Sequence, residues 1–234
     1  KVYRDRTVDF FNQHIEAAVQ LDCDHMVVST GFAYLDVDAE DAFGWCAEAM
    51  GRIARKAEQE GVTLAVEPFT KYTTHICNEA SQLRRLLRTV NSPRLTGLAD
   101  TDVIATTAVD TFSTFLDVIG PENLGHVHFV DGNPGGHLVP GDGNLDLDGA
   151  LEKLKAMLKK EQERRIKLNN RIAILERRIQ EESAAEVADM VRTANVTPEQ
   201  LAILLRQAAT MPPTPAALSA VGAEFDKEEI NDEI

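Results

Sequence analysis

Residues 64–69, with the sequence LAVEPF, place a carboxylate directly after a run of strand-forming residues and directly before a proline. An ionised Glu67 at the end of a buried strand costs free energy unless it is hydrogen-bonded, paired or bound to a metal. The rest of the chain must therefore supply partners for this carboxylate. Where those partners lie depends on the fold around LAVEPF.

Short apolar runs and helical patterns alternate through the first part of the chain. The apolar runs predict strands over residues 26–30, 62–67, 94–100 and 124–131. Apolar residues at helical spacing predict helices over residues 3–20, 39–60, 78–90 and 107–119. Alternation at about thirty residues per unit is typical of parallel strands joined by crossover helices, so the predicted fold class is α/β. The nearly continuous apolar character of the strands indicates a sheet covered on both faces.

A seven-residue repeat replaces this pattern from residue 151 onward. Apolar residues follow alternating spacings of three and four, if Glu161 and Arg165 count as polar positions: Leu151, Leu154, Leu158, Leu168, Ile172, Leu175 and Ile179. This repeat predicts a coiled-coil helix that pairs with another helix, and hence a homo-oligomer. The alternative is a single solvated helix that partly packs on the α/β part. Thr197, Pro198 and Gln200 predict the capped start of a second, shorter helix.

Charge is distributed unevenly along the chain. The net charge is −14. Residues 1–150 contain 23 acidic and 11 basic residues, and residues 151–215 contain nine acidic and 12 basic residues. Residues 216–234 contain six acidic residues and one basic residue. Together with the change of pattern, this predicts three parts. They are an α/β part over residues 1–155, a coiled-coil helix plus short helix over 156–210, and a disordered acidic tail over 211–234.

Composition excludes several functional classes. The acidic balance disfavours nucleic-acid binding, and the arginines after residue 151 are interleaved with glutamates and lack aromatic neighbours. Cys23, Cys46 and Cys77 are too widely spaced for a metal motif or a disulfide framework, which predicts reduced thiols. No long apolar run or signal-peptide pattern occurs, so we expect no membrane partner and a cytoplasmic protein.

Polar residues lie at or near the ends of three predicted strands. Glu67 closes one strand, Asp100 closes the next, and His128 lies near the end of the last. The carboxyl ends of parallel strands share one face, so these side chains are expected to converge there. Two carboxylates and one imidazole suit Mn²⁺, Co²⁺ or Mg²⁺ better than a structural Zn²⁺. Two alternatives stay open, in which Asp100 only caps the following helix and His126 replaces His128 as the ligand.

Three segments resemble a known family. They are LAVEPFTKYTTHICN, SPRLTGLAD and GHVHFVDGNPGGHLVPGDGNLDL, within residues 1–155. These segments resemble the sugar isomerase/epimerase family with a xylose-isomerase-like TIM barrel, in particular fructoselysine 3-epimerase and, more distantly, ketose 3-epimerases. The resemblance implies an incomplete barrel that contains strands four to seven of eight. Residues 151–208 separately resemble small coiled-coil proteins of unknown function from conjugative elements.

The family resemblance also implies roles for individual residues. A divalent metal would be held by Glu67, Asp100 and His128, together with a glutamate at the end of strand eight. Glu67 would also act as the acid/base that moves a proton at a carbon next to a sugar carbonyl, through an enediolate. His137 and the backbone of residues 140–143, including Pro140, Gly141 and Gly143, would lie near the sugar substrate.

The sequence departs from the family pattern at several positions. Thr73, Val103 and Pro134 stand where members often carry a Glu, a His and an Arg, and no strand eight follows residue 150. We therefore expect a fragment or a fusion with impaired activity, joined near residues 151–160. The alternative is a coiled-coil oligomerisation protein without catalysis.

Overall fold

The structure is a computed structural model that describes residues 2–34 and 36–210, with side chains described as far as residue 207. The predicted disordered tail over residues 211–234 lies outside the described residues. Two compact units are distinguished, of which the first ends at Arg164 and the second begins at Arg165.

A four-stranded parallel sheet organises the first unit. Its strands lie in the order of the sequence: β1 (His25–Ser29), β2 (Thr63–Glu67), β3 (Leu95–Asp100) and β4 (Leu124–His128). This confirms the predicted α/β fold and places the four strands where the apolar runs indicated. Strand β4 ends three residues before the predicted end at Asp131. The reason is that Asp131 instead pairs with Leu138 in an isolated antiparallel bridge, which closes a loop.

The helices of the first unit supply the rest of its core. They are α1 (Val2–Gln20), α2 (Ala39–Glu60), α3 (Ala80–Val90), α4 (Thr101–Thr107) and α5 (Phe112–Ile119), followed by a short 3-10 helix (Pro121–Asn123). Val28, Leu64 and Val66 of the strands join Leu83 and Phe115 of the helices in one buried apolar cluster. Val27 points to the other face of the sheet and is 44% exposed, so that face is only partly covered.

The helix predicted over residues 107–119 is present as α5, but it begins five residues later than predicted, and α4 before it was not predicted. Helix α4 begins directly after β3 and is capped at its carboxyl end by Ala108, whose φ of 58° is left-handed, and α5 begins only at Phe112. Thr111 caps α5 in a capping box with Thr114. A seven-residue helix has too few turns for its apolar spacing to be recognised in the sequence, which explains the error.

One long helix follows the sheet. Helix α6 (Leu147–Thr193) is continuous over 47 residues, and α7 (Pro198–Thr210) begins where Thr197 and Gln200 predicted a capped start. In the first unit, Leu154 and Met157 of α6 pack against the core. The alternative of partial packing on the α/β part therefore describes the beginning of this helix. The apolar residues of the repeat in the second unit remain exposed.

The three cysteines are free, as expected. Burial raises the pKa of the Cys46 thiol to about 12 and raises that of Cys77 further, so neither is a reactive thiolate at neutral pH. Among the described helices, none combines the length and the apolar character needed to cross a bilayer.

Candidate metal and sugar site

The carboxyl ends of β2, β3 and β4 bring the three predicted ligands together. Asp100 and His128 are register partners at the ends of adjacent strands, and Glu67 ends the neighbouring strand β2. One ligand atom from each of the three side chains lies within 4.8 Å of the others. The His128 Nδ1 atom is 3.0 Å from Glu67 Oε1 and 3.3 Å from Asp100 Oδ2. The contact with His128 supplies a partner for the Glu67 carboxylate.

The two oxygens of the Asp100 carboxylate have separate contacts. Oδ1 accepts hydrogen bonds from the backbone N–H groups of Asp102 and Val103, at 2.8 and 2.9 Å, and so caps α4. Oδ2 faces His128 and lies 3.1 Å from Nε2 of His137. The side chain is only 1% exposed. The capping alternative and the ligand prediction are therefore compatible, because each uses a different oxygen.

His137 reaches this site from the loop after β4. Its Nε2 lies 3.1 Å from Asp100 Oδ2, and its Nδ1 lies 3.1 Å from Oδ2 of Asp102. Asp102 also accepts hydrogen bonds from the backbone N–H groups of Gly135 and His137. The backbone of His137 is left-handed, with φ 47°, so the turn that Asp102 holds fixes the direction of the imidazole. Asp102 was not among the residues predicted from the sequence, although its place two residues after Asp100 was a usable signal.

Asp131 organises the loop that carries His137. It is 3% exposed, and its carboxylate accepts hydrogen bonds from four backbone N–H groups. The donors, at distances from 2.9 to 3.1 Å, are Gly132, Gly141, Gly143 and Leu145. Burial raises the pKa of this carboxyl, but the four N–H groups outweigh it and hold the pKa below its ordinary value. Asp131 was predicted as the last residue of a strand, and its role in the loop was not predicted.

The predicted substrate residues of the loop are placed within this framework. Gly141 is exposed with a φ of 99°, which favours glycine, and a Cβ on Gly143 would overlap the Asp131 carboxylate. The N–H groups of both glycines donate to Asp131, which leaves their carbonyl groups for other contacts. Pro140 is exposed beside them. Substrate contact by Pro140, Gly141 and Gly143 stays a prediction.

Replacing Asp131 by asparagine is expected to lower the melting temperature by several degrees at neutral pH, because an amide accepts fewer of the four hydrogen bonds. The folded-state pKa is depressed, so the stabilisation is present above the unfolded pKa of about 4 and is lost as the pH falls through the folded-state value. The difference in melting temperature between the wild type and Asp131→Asn should shrink in that acid range. Asp142→Asn, an exposed position in the same loop, is the matched control. A constant difference down to pH 2 would contradict this role.

The other candidates lie outside the cluster. The His126 ring meets the His128 ring edge to face, with centroids 5.3 Å apart, but His126 is exposed and is not among the grouped ligand atoms. Val103, one of the positions at which a departure from the family pattern was predicted, is buried in α4. Thr73 contacts Thr70 through their hydroxyl groups, 3.0 Å apart.

A cleft of about 560 Å³ opens elsewhere in the first unit, between α4, α5 and the start of α6. None of the three grouped residues lines it. Its acidic residues are already engaged, since Asp110 accepts from the N–H of Ala80 and Asp146 accepts from the N–H of Gly149. We therefore locate the candidate site at the strand ends.

The donor set fits a divalent cation. Two carboxylates and an imidazole converge, and all three belong to adjacent strand ends rather than to flexible segments. Asp100 is almost fully buried, and its Oδ2 atom faces the imidazoles of His128 and His137. These contacts hold the ligand atoms in place at this end of the sheet.

Comparison with known proteins identifies the family of the chain. The sequence pattern of the xylose isomerase-like TIM barrel family matches residues 1–158, which is more than half of the chain. The chain belongs to this family. A second pattern, a domain of unknown function (DUF4315), matches residues 150–233, where the seven-residue repeat indicated a separate helical segment.

Individual relatives of the chain are sugar epimerases. Fructoselysine 3-epimerase from Shigella flexneri is 28% identical over 146 residues, covering 62% of this chain and 52% of the relative. Ketose 3-epimerase from Arthrobacter globiformis is 31% identical over 100 residues, covering 43% of this chain and 33% of the relative. The crystal structure of D-psicose 3-epimerase from Clostridium cellulolyticum H10 with D-tagatose has a TM-score of 0.60 at 19% identity, over 66% of this chain and 53% of that one. The chain thus spans about half the length of the fructoselysine 3-epimerase that it matches.

Proposed function

We propose that this chain carries the metal-dependent proton-transfer centre of a sugar isomerase/epimerase. The observation that carries the proposal is the convergence of Glu67, Asp100 and His128 at the carboxyl ends of three adjacent parallel strands. Membership of the xylose isomerase-like family and the epimerase activity of its relatives support this proposal. The predicted metals are Mn²⁺, Co²⁺ or Mg²⁺.

The proposed roles follow from exposure and contacts. Glu67 is 15% exposed on its side chain, so one side remains accessible to a substrate, and its carboxylate can take the proton from a carbon next to a carbonyl. That transfer leaves an enediolate, to which the proton returns. A divalent metal in this site would polarise the carbonyl and hydroxyl oxygens of the sugar. Asp100 and His128 would hold the cation.

His137 is proposed to lie beside the bound sugar, with the exposed part of its ring facing it. Its side chain is 52% exposed, while both of its ring nitrogens lie close to buried carboxylates. The ring is therefore oriented by the protein yet open to a bound molecule. Asp102 is proposed to be a positioning residue, because it would act on the substrate only through His137. Pro140, Gly141 and Gly143 would bound the substrate from the same loop.

The proposed substrate is a small ketose or a sugar–amine adduct. The relatives act on fructoselysine and on ketoses, according to their names. A nucleic-acid substrate is disfavoured by the net charge of −14. The alternative of a coiled-coil protein without catalysis explains the repeat in α6, but it gives no reason for three convergent ligand side chains, so we favour the enzyme.

Hydrogen exchange at the reacting carbon tests this proposal without requiring complete turnover. The full chain is incubated in D₂O with Mg²⁺ and either D-fructose or fructoselysine, and the C3 proton is followed by NMR. We expect enzyme- and metal-dependent loss of that proton signal, because a base that removes the proton exchanges it with solvent. Absence of exchange in a folded, metal-bound chain with both sugars would contradict the proposed function.

A further inference from the structure

The part of α6 in the second unit exposes a regular apolar stripe. Leu168, Ile172, Leu175 and Ile179 follow one another at spacings of four, three and four residues. Their exposed fractions are 57%, 44%, 47% and 63%. We call these four residues the seam. Exposed apolar side chains on one line of a helix indicate a surface that another molecule covers.

The residue types in the seam select the kind of partner. In heptad notation, Ile172 and Ile179 occupy a positions and Leu168 and Leu175 occupy d positions. A β-branched residue at a combined with leucine at d favours two parallel strands over trimers or tetramers. The a position before the seam is Arg165, and the d position after it is Glu182. These charged residues limit the apolar seam to the residues between them.

The charges beside the seam select the orientation. Arg171 occupies a g position and Glu176 the following e position, and both side chains are exposed. In a parallel, in-register pair, Arg171 of one helix lies beside Glu176 of the other, and symmetry produces this contact twice. In an antiparallel pair, g positions face g positions. Both g positions along the seam, 171 and 178, are arginines, so like charges would meet in that arrangement. The charge pattern therefore favours the parallel arrangement.

We propose that residues 165–182 of α6 pair with the same segment of a second copy of this chain, as a parallel, in-register, two-stranded coiled coil. This inference does not rest on the proposed catalytic function, because every residue that carries it lies in the second unit. It assigns a partner, a stoichiometry and an orientation to the surface of α6.

Sedimentation equilibrium of the full chain tests the seam. The wild type is expected to approach twice the chain mass as its concentration rises. Ile172→Glu, which places a charge at an a position, is expected to remain a monomer over the same range. Ile174→Glu is the matched control, because Ile174 lies on the same helix, is 55% exposed and occupies an outward c position. A monomeric wild type, a higher oligomer, or equal behaviour of the two variants would overturn the proposal.

Charge reversal tests the orientation. Arg171→Glu alone and Glu176→Arg alone each place like charges together in a parallel pair, so each variant should dimerise more weakly than the wild type. A mixture of the two variants restores both contacts, and a heterodimer should form in preference to either homodimer. Affinity-tagged copies of one variant can measure that preference. A mixture that associates no better than the separate variants would overturn the parallel arrangement.

Discussion

A chain with Glu67 replaced by glutamine is expected to lose exchange of the sugar C3 proton with solvent by about 10²–10⁴-fold. Glutamine keeps the size of the side chain and an oxygen that can face His128, but its amide cannot accept the proton. In the native chain, Glu67 is the one carboxylate of the ligand cluster that is partly exposed, whereas Asp100 is 1% exposed. Proton abstraction should therefore depend on Glu67 in particular.

The measurement is the rate of loss of the C3 proton signal in D₂O with saturating Mg²⁺, compared between the wild type and Glu67→Gln. Glu163→Gln is the control, since Glu163 is an exposed glutamate on α6. A separate Mn²⁺ titration of each variant distinguishes loss of the base from loss of the metal. Exchange at the wild-type rate in Glu67→Gln would contradict the role given to this residue.

Replacing Asp100 by asparagine is expected to weaken Mn²⁺ binding by roughly 100-fold or more, because even the loss of groups that merely orient metal ligands costs about 10- to 100-fold. The substitution removes the negative charge while an amide oxygen can still cap α4, and asparagine is as good an N-cap as aspartate. The fold should therefore persist while the affinity for the cation falls.

A closely matched control exists in the same unit. Asp38 caps α2 as Asp100 caps α4, since its Oδ1 accepts from the N–H groups two and three residues later, at 2.8 and 3.3 Å. Asp38→Asn should leave the Mn²⁺ affinity unchanged in calorimetry. Equal affinities for Asp38→Asn and Asp100→Asn would show that Asp100 serves only as a cap, which is the alternative that the sequence left open.

The elements that the sequence predicted well are those defined by local pattern. The β-branched and apolar run before Glu67 predicted β2, and parallel pairing then placed Asp100 and His128 beside it, as the register confirms. Helix α6 was likewise evident from its repeat. Leu154 shows the limit of such a pattern, because its spacing cannot reveal that it packs on the α/β core instead of on another helix.

The contacts that the sequence could not predict depend on loop geometry. Asp131 accepts a hydrogen bond from the backbone N–H of Leu145, which is 14 residues further along the chain. Asp102 accepts one from the backbone N–H of His137, which is 35 residues further along. No periodicity records such contacts, since a carboxylate in a glycine-rich loop can also simply be solvated. Only the folded loop shows that both aspartates hold the segment that carries His137.

Electron spin-echo spectroscopy of the Mn²⁺-loaded chain tests directly whether Glu67, Asp100 and His128 form a metal centre. We expect one Mn²⁺ per chain with coupling to the nitrogen of a directly bound imidazole. That coupling should disappear in His128→Ala and persist in His126→Ala, because the structure brings only His128 of this pair to Glu67 and Asp100. A folded chain that binds no Mn²⁺, or nitrogen coupling that survives in His128→Ala, would contradict a metal centre formed by Glu67, Asp100 and His128.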